Sequence, residues 1–293
     1  MAGSDEGVGV QLSVILTGHA TMPRGYVYRA PGNVLSKLRA GLVAGEDALR
    51  VPCLAYVVRH PAAGTLLIDT GFHPDAGRDL RRDFGLTLGL VMKSIEPARE
   101  PFDAQLRTAG VEPESVESVL MTHLHADHTS GMRLLPNATF TCARAEWEAT
   151  RSRFPARGGY APGHLPPRER MRLVDFEADG VPYGPFDRTV DLLGDGSIRL
   201  VYTPGHTPGH MSALVRLDDG DSAMVVGDAA YTLHSIEEGV LPLLTADDGQ
   251  SVRSLRALKS FAEQNPQAVV VPTHDPDAWR ALPNTDRAPS GAV

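Results

Sequence analysis

Met121-Thr-His-Leu-His-Ala-Asp-His128 sets His123, His125, Asp127 and His128 within six consecutive positions. Groups this polar, packed this densely, make a poor core, because burying each one costs several kcal/mol unless a partner satisfies it. A pair of bound metal ions is a partner of the right chemistry.

The spacing can be followed mechanically. Val116 to Thr122 predicts a buried strand, and at its end His123 and His125 point the same way, since strand side chains repeat every second residue. Two imidazoles then converge on one ion. Asp127 and His128 fall where the chain turns toward a helix expected over Ser130 to Leu135, so they project from another backbone direction and serve a second ion nearby. Further ligands are expected at other strand ends. Three apolar runs supply them: Leu200-Val-Tyr-Thr-Pro-Gly-His206, Ala223-Met-Val-Val-Gly-Asp228 and Ala268-Val-Val-Val-Pro-Thr-His274.

Residues 123 to 128 match the His-x-His-x-Asp-His signature of the metallo-β-lactamase superfamily, which the chain resembles over roughly residues 50 to 275. The later ligands stand in similar contexts, and Ile68-Asp-Thr-Gly71 is similar to the family's early Asp-Thr-Gly strand end. The resemblance implies that His123, His125 and His206 hold one metal and Asp127, His128 and His274 the other, with Asp228 bridging. Asp69 would then orient a ligand from behind, as outer carboxylates do at metal sites. Zinc suits these His and carboxylate ligands, with iron, cobalt and manganese as alternatives.

Composition fits an enzyme acting on a small molecule. A chain of 293 residues, 42% hydrophobic and 22% charged, can bury a large core. Its formal net charge of -8, with Lys and Arg scattered, disfavours nucleic acid as a partner, since such binding rests on basic patches. Cys53 and Cys142 are too few for a disulfide framework and read as free thiols of a reducing compartment. The opening Met1-Ala-Gly-Ser-Asp-Glu6 lacks the basic start and apolar stretch of a signal peptide, and no apolar run is long enough to span a membrane. A cytoplasmic location without a membrane partner is the expectation.

Early strands are expected at Gln11 to Leu16, Leu54 to Val58 and Thr65 to Ile68, and later ones at Ala138 to Thr141, Ile198 to Tyr202, Ser212 to Leu217, Ala223 to Val226 and Val269 to Val271. Helices are expected at Phe102 to Ala109, Arg144 to Arg153 and Ser251 to Gln264. Two β-rich halves, each backed by helices, predict an α/β fold: an αβ/βα sandwich of two mixed β-sheets, the metallo-β-lactamase fold, as one domain over residues 1–293. Two segments fall outside this pattern. One is 73–101, with its apolar Leu86-to-Met92 run; the other is 154–185, rich in Pro and Gly from Phe154 to Arg170. Loops of such length are usually functional or disordered. They are expected to line a substrate pocket that receives an acyl chain, the alternative being a surface insertion or a homodimer contact.

Two ions imply hydrolysis, with a hydroxide held between them as nucleophile and one ion polarising the carbonyl. The class B β-lactamases generally carry Cys where Asp228 stands, which argues against antibiotic hydrolysis. Tyr231, in Gly227-Asp-Ala-Ala-Tyr-Thr232, is similar to the Asp-x-x-Tyr pattern of the N-acyl homoserine lactonases, and Thr203-Pro-Gly-His-Thr-Pro-Gly-His210 and His274-Asp-Pro-Asp-Ala-Trp279 also resemble that group. That likeness implies opening of a lactone ring, with the Tyr231 phenol donating to the carbonyl or the departing oxygen and Asp127 carrying the proton. The competing expectations are a thioesterase resembling glyoxalase II, a hydrolase of another small ester or lactone, a phosphodiesterase or nuclease, which the acidic charge disfavours, and a metal-binding sensor without activity. Among the other histidines, His210 is expected to be structural and His164 to be solvated. His19, His60, His73 and His234 carry no positional argument.

Overall fold

The computed structural model describes residues 8–32, 35–36, 47–91 and 95–282. The reading of Met1 to Glu6 and the end of the Leu86-to-Met92 run lie outside them. Apolar-rich runs form two long strands, β1 (Gln11–Met22) and β2 (Leu49–His60), which pair antiparallel along nearly their whole length. Next come β3 (Gly64–Ile68), β4 (Ile95–Pro97), β5 (Ser118–Leu120), β6 (Thr139–Ala143) and β7 (Met171–Val174). They complete a seven-stranded sheet in the order β4-β1-β2-β3-β5-β6-β7, parallel from β3 to β7.

The second sheet contains β8 (Val181–Tyr183), β9 (Phe186–Asp191), β10 (Ile198–Tyr202), β11 (Met211–Arg216), β12 (Ser222–Gly227) and β13 (Val269–Pro272), in the order β13-β12-β11-β10-β9-β8. Only β12 and β13 run parallel there. Both sheets are mixed, as expected. The inner faces meet in one core, in which Val14, Leu54, Ile68 and Leu120 of the first sheet pack with Leu200, Ala213, Val225 and Val271 of the second.

Among the described residues, helices flank the two sheets. They are α1 (Arg24–Val27), α2 (Leu80–Val91), α3 (Phe102–Thr108), α4 (Ala126–Thr129), α5 (Arg144–Ala149), α6 (Leu233–Glu238) and α7 (Asp248–Gln264). Phe102, Leu106 and Trp147 seal the first sheet, and Leu255, Leu258 and Phe261 seal the second. The sandwich is therefore αβ/βα. Helix α7 starts where Asp247 accepts from the Gln250 N–H, an N-cap that satisfies one of the first turn's orphan donors.

Several boundaries differ from the sequence reading. The strand expected from Val116 spans only Ser118–Leu120, because a 3₁₀ turn at Pro113–Ser115 takes up the preceding residues. Ser130–Leu134 is 3₁₀ rather than α, continuing the short α4. In segment 73–101, the apolar run forms helix α2, kinked at Gly85 (φ 81°). Segment 154–185 is built of 3₁₀ turns followed by β7 and β8. Among the described residues, no helix is long and apolar enough to cross a membrane.

Candidate metal centre

The parallel strands deliver their ends to one edge of the sandwich. Ile68 of β3 stands beside Leu120 of β5, so Asp69 and Thr122 emerge together. In the second sheet Gly227 stands beside Pro272, which brings Asp228 next to Thr273 and His274. A backbone bond from the Met211 N–H to the Thr122 carbonyl (2.8 Å) ties the two sheets together at this edge.

All seven predicted ligands meet there. The ligand atoms of His123, His125 and His206 lie within 4.8 Å of one another, as do those of Asp127, His128, Asp228 and His274. The Asp228 carboxylate lies between the two groups. Its Oδ2 is 3.9 Å from His123 Nε2, 3.5 Å from His206 Nε2 and 3.3 Å from His274 Nε2, and its Oδ1 is 3.3 Å from His128 Nε2. Asp127 Oδ2 is 3.6 Å from His274 Nε2 and 3.8 Å from His128 Nε2.

Most of the rings are held from the far side. Asp69, the one non-glycine among the described residues with positive φ (56°), turns its carboxylate back under the motif. It accepts from the Thr122 N–H (2.8 Å), from Thr122 Oγ1 (2.7 Å) and from His128 Nδ1 (2.8 Å). Thr122 Oγ1 also lies 3.1 Å from His123 Nδ1, so Asp69 steadies two imidazoles. His274 Nδ1 donates to the Pro52 carbonyl (2.8 Å). His125 lies against the Gly158 backbone and packs on Gly159, where an added Cβ would sit 2.8 Å from its ring. These bonds leave Nε2 of His123, His128 and His274 facing Asp228, while His125 Nδ1 faces His206 Nε2 (3.0 Å), and bonding the far nitrogen in this way is the arrangement that metal-ligating histidines use.

The clustered groups perturb one another strongly. Burial and the neighbouring imidazoles push His123 well below the ordinary histidine range. Burial and His125 do the same to His206. Burial opposes charge on His128 and His274 as well, but Asp69 and Asp228 raise His128 and Asp228 raises His274. The Asp228 carboxyl is held well below its usual range by His274 and His128, against its own burial. Even so, His123 Nε2, His274 Nε2 and Asp228 Oδ1 are buried without a hydrogen-bond partner. Orphaned polar atoms of this kind call for an explanation, and bound cations supply one. The residues present fit two divalent ions.

Tyr231 is buried beside the cluster, its ring 5.6 Å from that of His206 and 5.1 Å from that of His274. Burial, together with Tyr26, Asp228 and Asp127, holds its phenol well above its usual range, so it stays protonated and able to donate. Tyr26, on α1, was missed by the sequence reading. Its ring stacks on that of Tyr231 at 6.4 Å, and its own phenol is raised by burial and by Asp127 and Asp228. An isolated Tyr far upstream of the motif carries no sequence signal for this role.

His210 is structural, as expected. It accepts from the Asp228 N–H (2.9 Å) and meets Thr203 Oγ1 (2.9 Å), and burial pushes it down to about 3. His164 contradicts the expectation of a solvated ring. It is buried, lies 3.0 Å from Thr129 Oγ1 and donates to the Asp83 carbonyl (2.8 Å), and burial pushes it to about 3. Asp83 also accepts from Ser130 Oγ (2.5 Å) and Arg133. Segments 73–101 and 154–185 thus meet at the motif's helix, with Phe84, Leu88, Ala126 and Ala161 in one apolar cluster. His60, His73 and His234 are engaged elsewhere, with Asp195, the Asp75 N–H and the Tyr28 ring.

The metallo-beta-lactamase superfamily profile matches residues 48–274. The chain is 35% identical over 234 residues to the N-acyl homoserine lactonase AttM of Agrobacterium fabrum, covering 78% of this chain and 84% of that one. It is 26% identical over 232 residues to the N-acyl homoserine lactonase AiiA of Bacillus thuringiensis subsp. kurstaki, covering 78% and 83%. Among solved structures, an N-acyl homoserine lactone hydrolase with N-hexanoyl-L-homoserine bound at its catalytic metal centre superposes with a TM-score of 0.72 at 22% identity, over 94% of this chain and 97% of that one. AidC, a dizinc quorum-quenching lactonase in complex with a product, superposes with a TM-score of 0.60 at 16% identity, covering 92% and 89%.

Proposed function

The chain belongs to the metallo-beta-lactamase superfamily, and from that premise we propose that it is an N-acyl homoserine lactonase that opens the ester ring of its substrate by hydrolysis. The observation that carries this reading is the meeting of both ligand groups on Asp228, with the protonated Tyr231 phenol against two of the ligand rings. Four relatives at 34–35% identity, all named as lactonases acting on this substrate class, support it.

His123, His125 and His206 would hold one cation, Asp127, His128 and His274 the other, and Asp228 both. Zinc is the ion we infer, on the chemistry of a His and carboxylate set. When bound, such a pair supplies an acidified water as nucleophile and Lewis-acid polarisation of the carbonyl.

The chain's own groups do the rest. Tyr231 donates its hydroxyl proton in a hydrogen bond to the carbonyl oxygen as negative charge builds there, and the low-dielectric surroundings strengthen that bond. Asp127, at the edge of the second cluster, takes the proton of the attacking water and passes it to the ring oxygen. One water is consumed, the acyl–oxygen bond breaks, and an N-acyl homoserine is released. Asp69 and the Pro52 carbonyl keep the His128 and His274 rings fixed, and His210 holds the Asp228 backbone.

Segments 73–101 and 154–185, joined beside Ala126, would form the wall that receives the acyl chain. The free, buried Cys53 and Cys142 support a reducing, cytoplasmic setting. A pH-indicator assay of zinc-loaded protein on short- and long-chain N-acyl homoserine lactones, with γ-butyrolactone and S-lactoylglutathione alongside, tests the reading. The expected result is lactone opening that disappears on chelation and returns with zinc. Protein carrying two zinc ions that cleaves S-lactoylglutathione and no lactone would overturn it.

A further inference from the structure

Glu146, on α5, is fully buried, yet it belongs to neither ligand group. Its Oε1 accepts from the Leu124 N–H (2.9 Å), the peptide between His123 and His125. Its Oε2 accepts from the Gly209 N–H (3.1 Å), three residues past His206. The two acceptors of one carboxylate thus reach two loops from opposite sheets. Tyr160 and Thr207 lie against the same carboxylate. The seat is tight, since a Cβ on Gly209 would meet the Glu146 backbone nitrogen at 2.1 Å. A surface Glu could not serve here, because a buried carboxylate is tolerated only where its oxygens are satisfied.

We propose that Glu146 is a positioning residue for the first cation: it sets the distance between the His123–His125 loop and the His206 loop, and with it the affinity of that site. The inference rests on the two-cation reading above. The second cluster draws its ligands from α4 and from the residues just past β12 and β13, none of which Glu146 touches by hydrogen bond, so the effect falls on one site.

Glu146→Gln keeps the shape but turns an NH₂ donor toward one of the two N–H groups. Glu146→Asp keeps both acceptors and the charge but is too short to span the loops. Zinc affinity is measured by competition with a chromogenic chelator, without substrate, in the wild type, in each variant and in a His274→Ala background that leaves the first cluster. Melting of the zinc-free proteins is followed in parallel. The expected result is a roughly 10- to 100-fold loss at one of the two sites, repeated in the His274→Ala background, with the other site unchanged even where the buried mismatch lowers zinc-free melting. Two sites of wild-type affinity in both variants would overturn the proposal, as would a fall at both sites together with the melting temperature. A wild type that binds no zinc would overturn the two-cation reading itself and this inference with it.

Discussion

Asp69 Oδ2 and His128 Nδ1 stand 2.8 Å apart, joining the end of β3 to helix α4 directly behind the metal centre. The bond fixes which nitrogen of His128 faces Asp228. Asp69→Asn tests it cleanly, because Asn also tolerates the positive φ that position 69 adopts. Zinc affinity should fall roughly 10- to 100-fold with the fold intact by circular dichroism. Wild-type affinity in a titration would remove Asp69 from the site.

Tyr231→Phe deletes one hydroxyl and leaves the ring against His206 and His274. Turnover of N-hexanoyl homoserine lactone should drop roughly 100-fold, with two zinc ions retained by elemental analysis. Tyr26→Phe should cost less. If Tyr26 works through its stacked neighbour, the double variant should be no slower than Tyr231→Phe alone.

Asp228→Ala leaves His128 and His274 facing each other without the carboxylate between them. Zinc content after dialysis should fall below two per chain, and activity should go with it. A fully loaded variant would contradict the bridging position.

Much of this site can be read in the sequence, because its ligands sit at strand ends whose apolar runs are unmistakable and because His123 to His128 are contiguous. The sheets followed for the same reason. Glu146 and Tyr26 could not be read: Arg144-Ala-Glu-Trp-Glu148 looks like any amphipathic turn, and what makes Glu146 special is two N–H groups, 22 and 63 residues away. His164 misled for the opposite reason. A Pro-Gly loop normally lies in water, but this one is buried by α2, whose existence the Gly85 kink concealed from periodicity.

That burial has a pH signature. The folded pKa of His164 is about 3, below its unfolded value of 6.5. Its contribution is therefore present above pH 6.5 and is lost as pH falls toward 3. In zinc-free protein, the wild type should lose about 2 kcal/mol more than His164→Gln between pH 7 and pH 5 in urea denaturation. Parallel pH curves for the two proteins would show that His164 is not the titrating group.

Gly159 lies at φ 87°, with the His125 ring where a side chain would begin. Gly159→Ala should cost about 1–2 kcal/mol from the backbone alone, measured by urea denaturation, and more if the ring must move. A neutral substitution would mean that the 154–164 turns are free to shift away from the motif.

Each ligand group takes residues from both sheets: His206 joins His123 and His125, while Asp228 and His274 join Asp127 and His128. During synthesis the chain emerges from its N-terminus, so the first four ligands leave the ribosome long before the others. The last, His274, follows β13. A nascent chain therefore cannot complete the first coordination set before His206 has been made, nor the second before His274, so the two sites become whole one after the other.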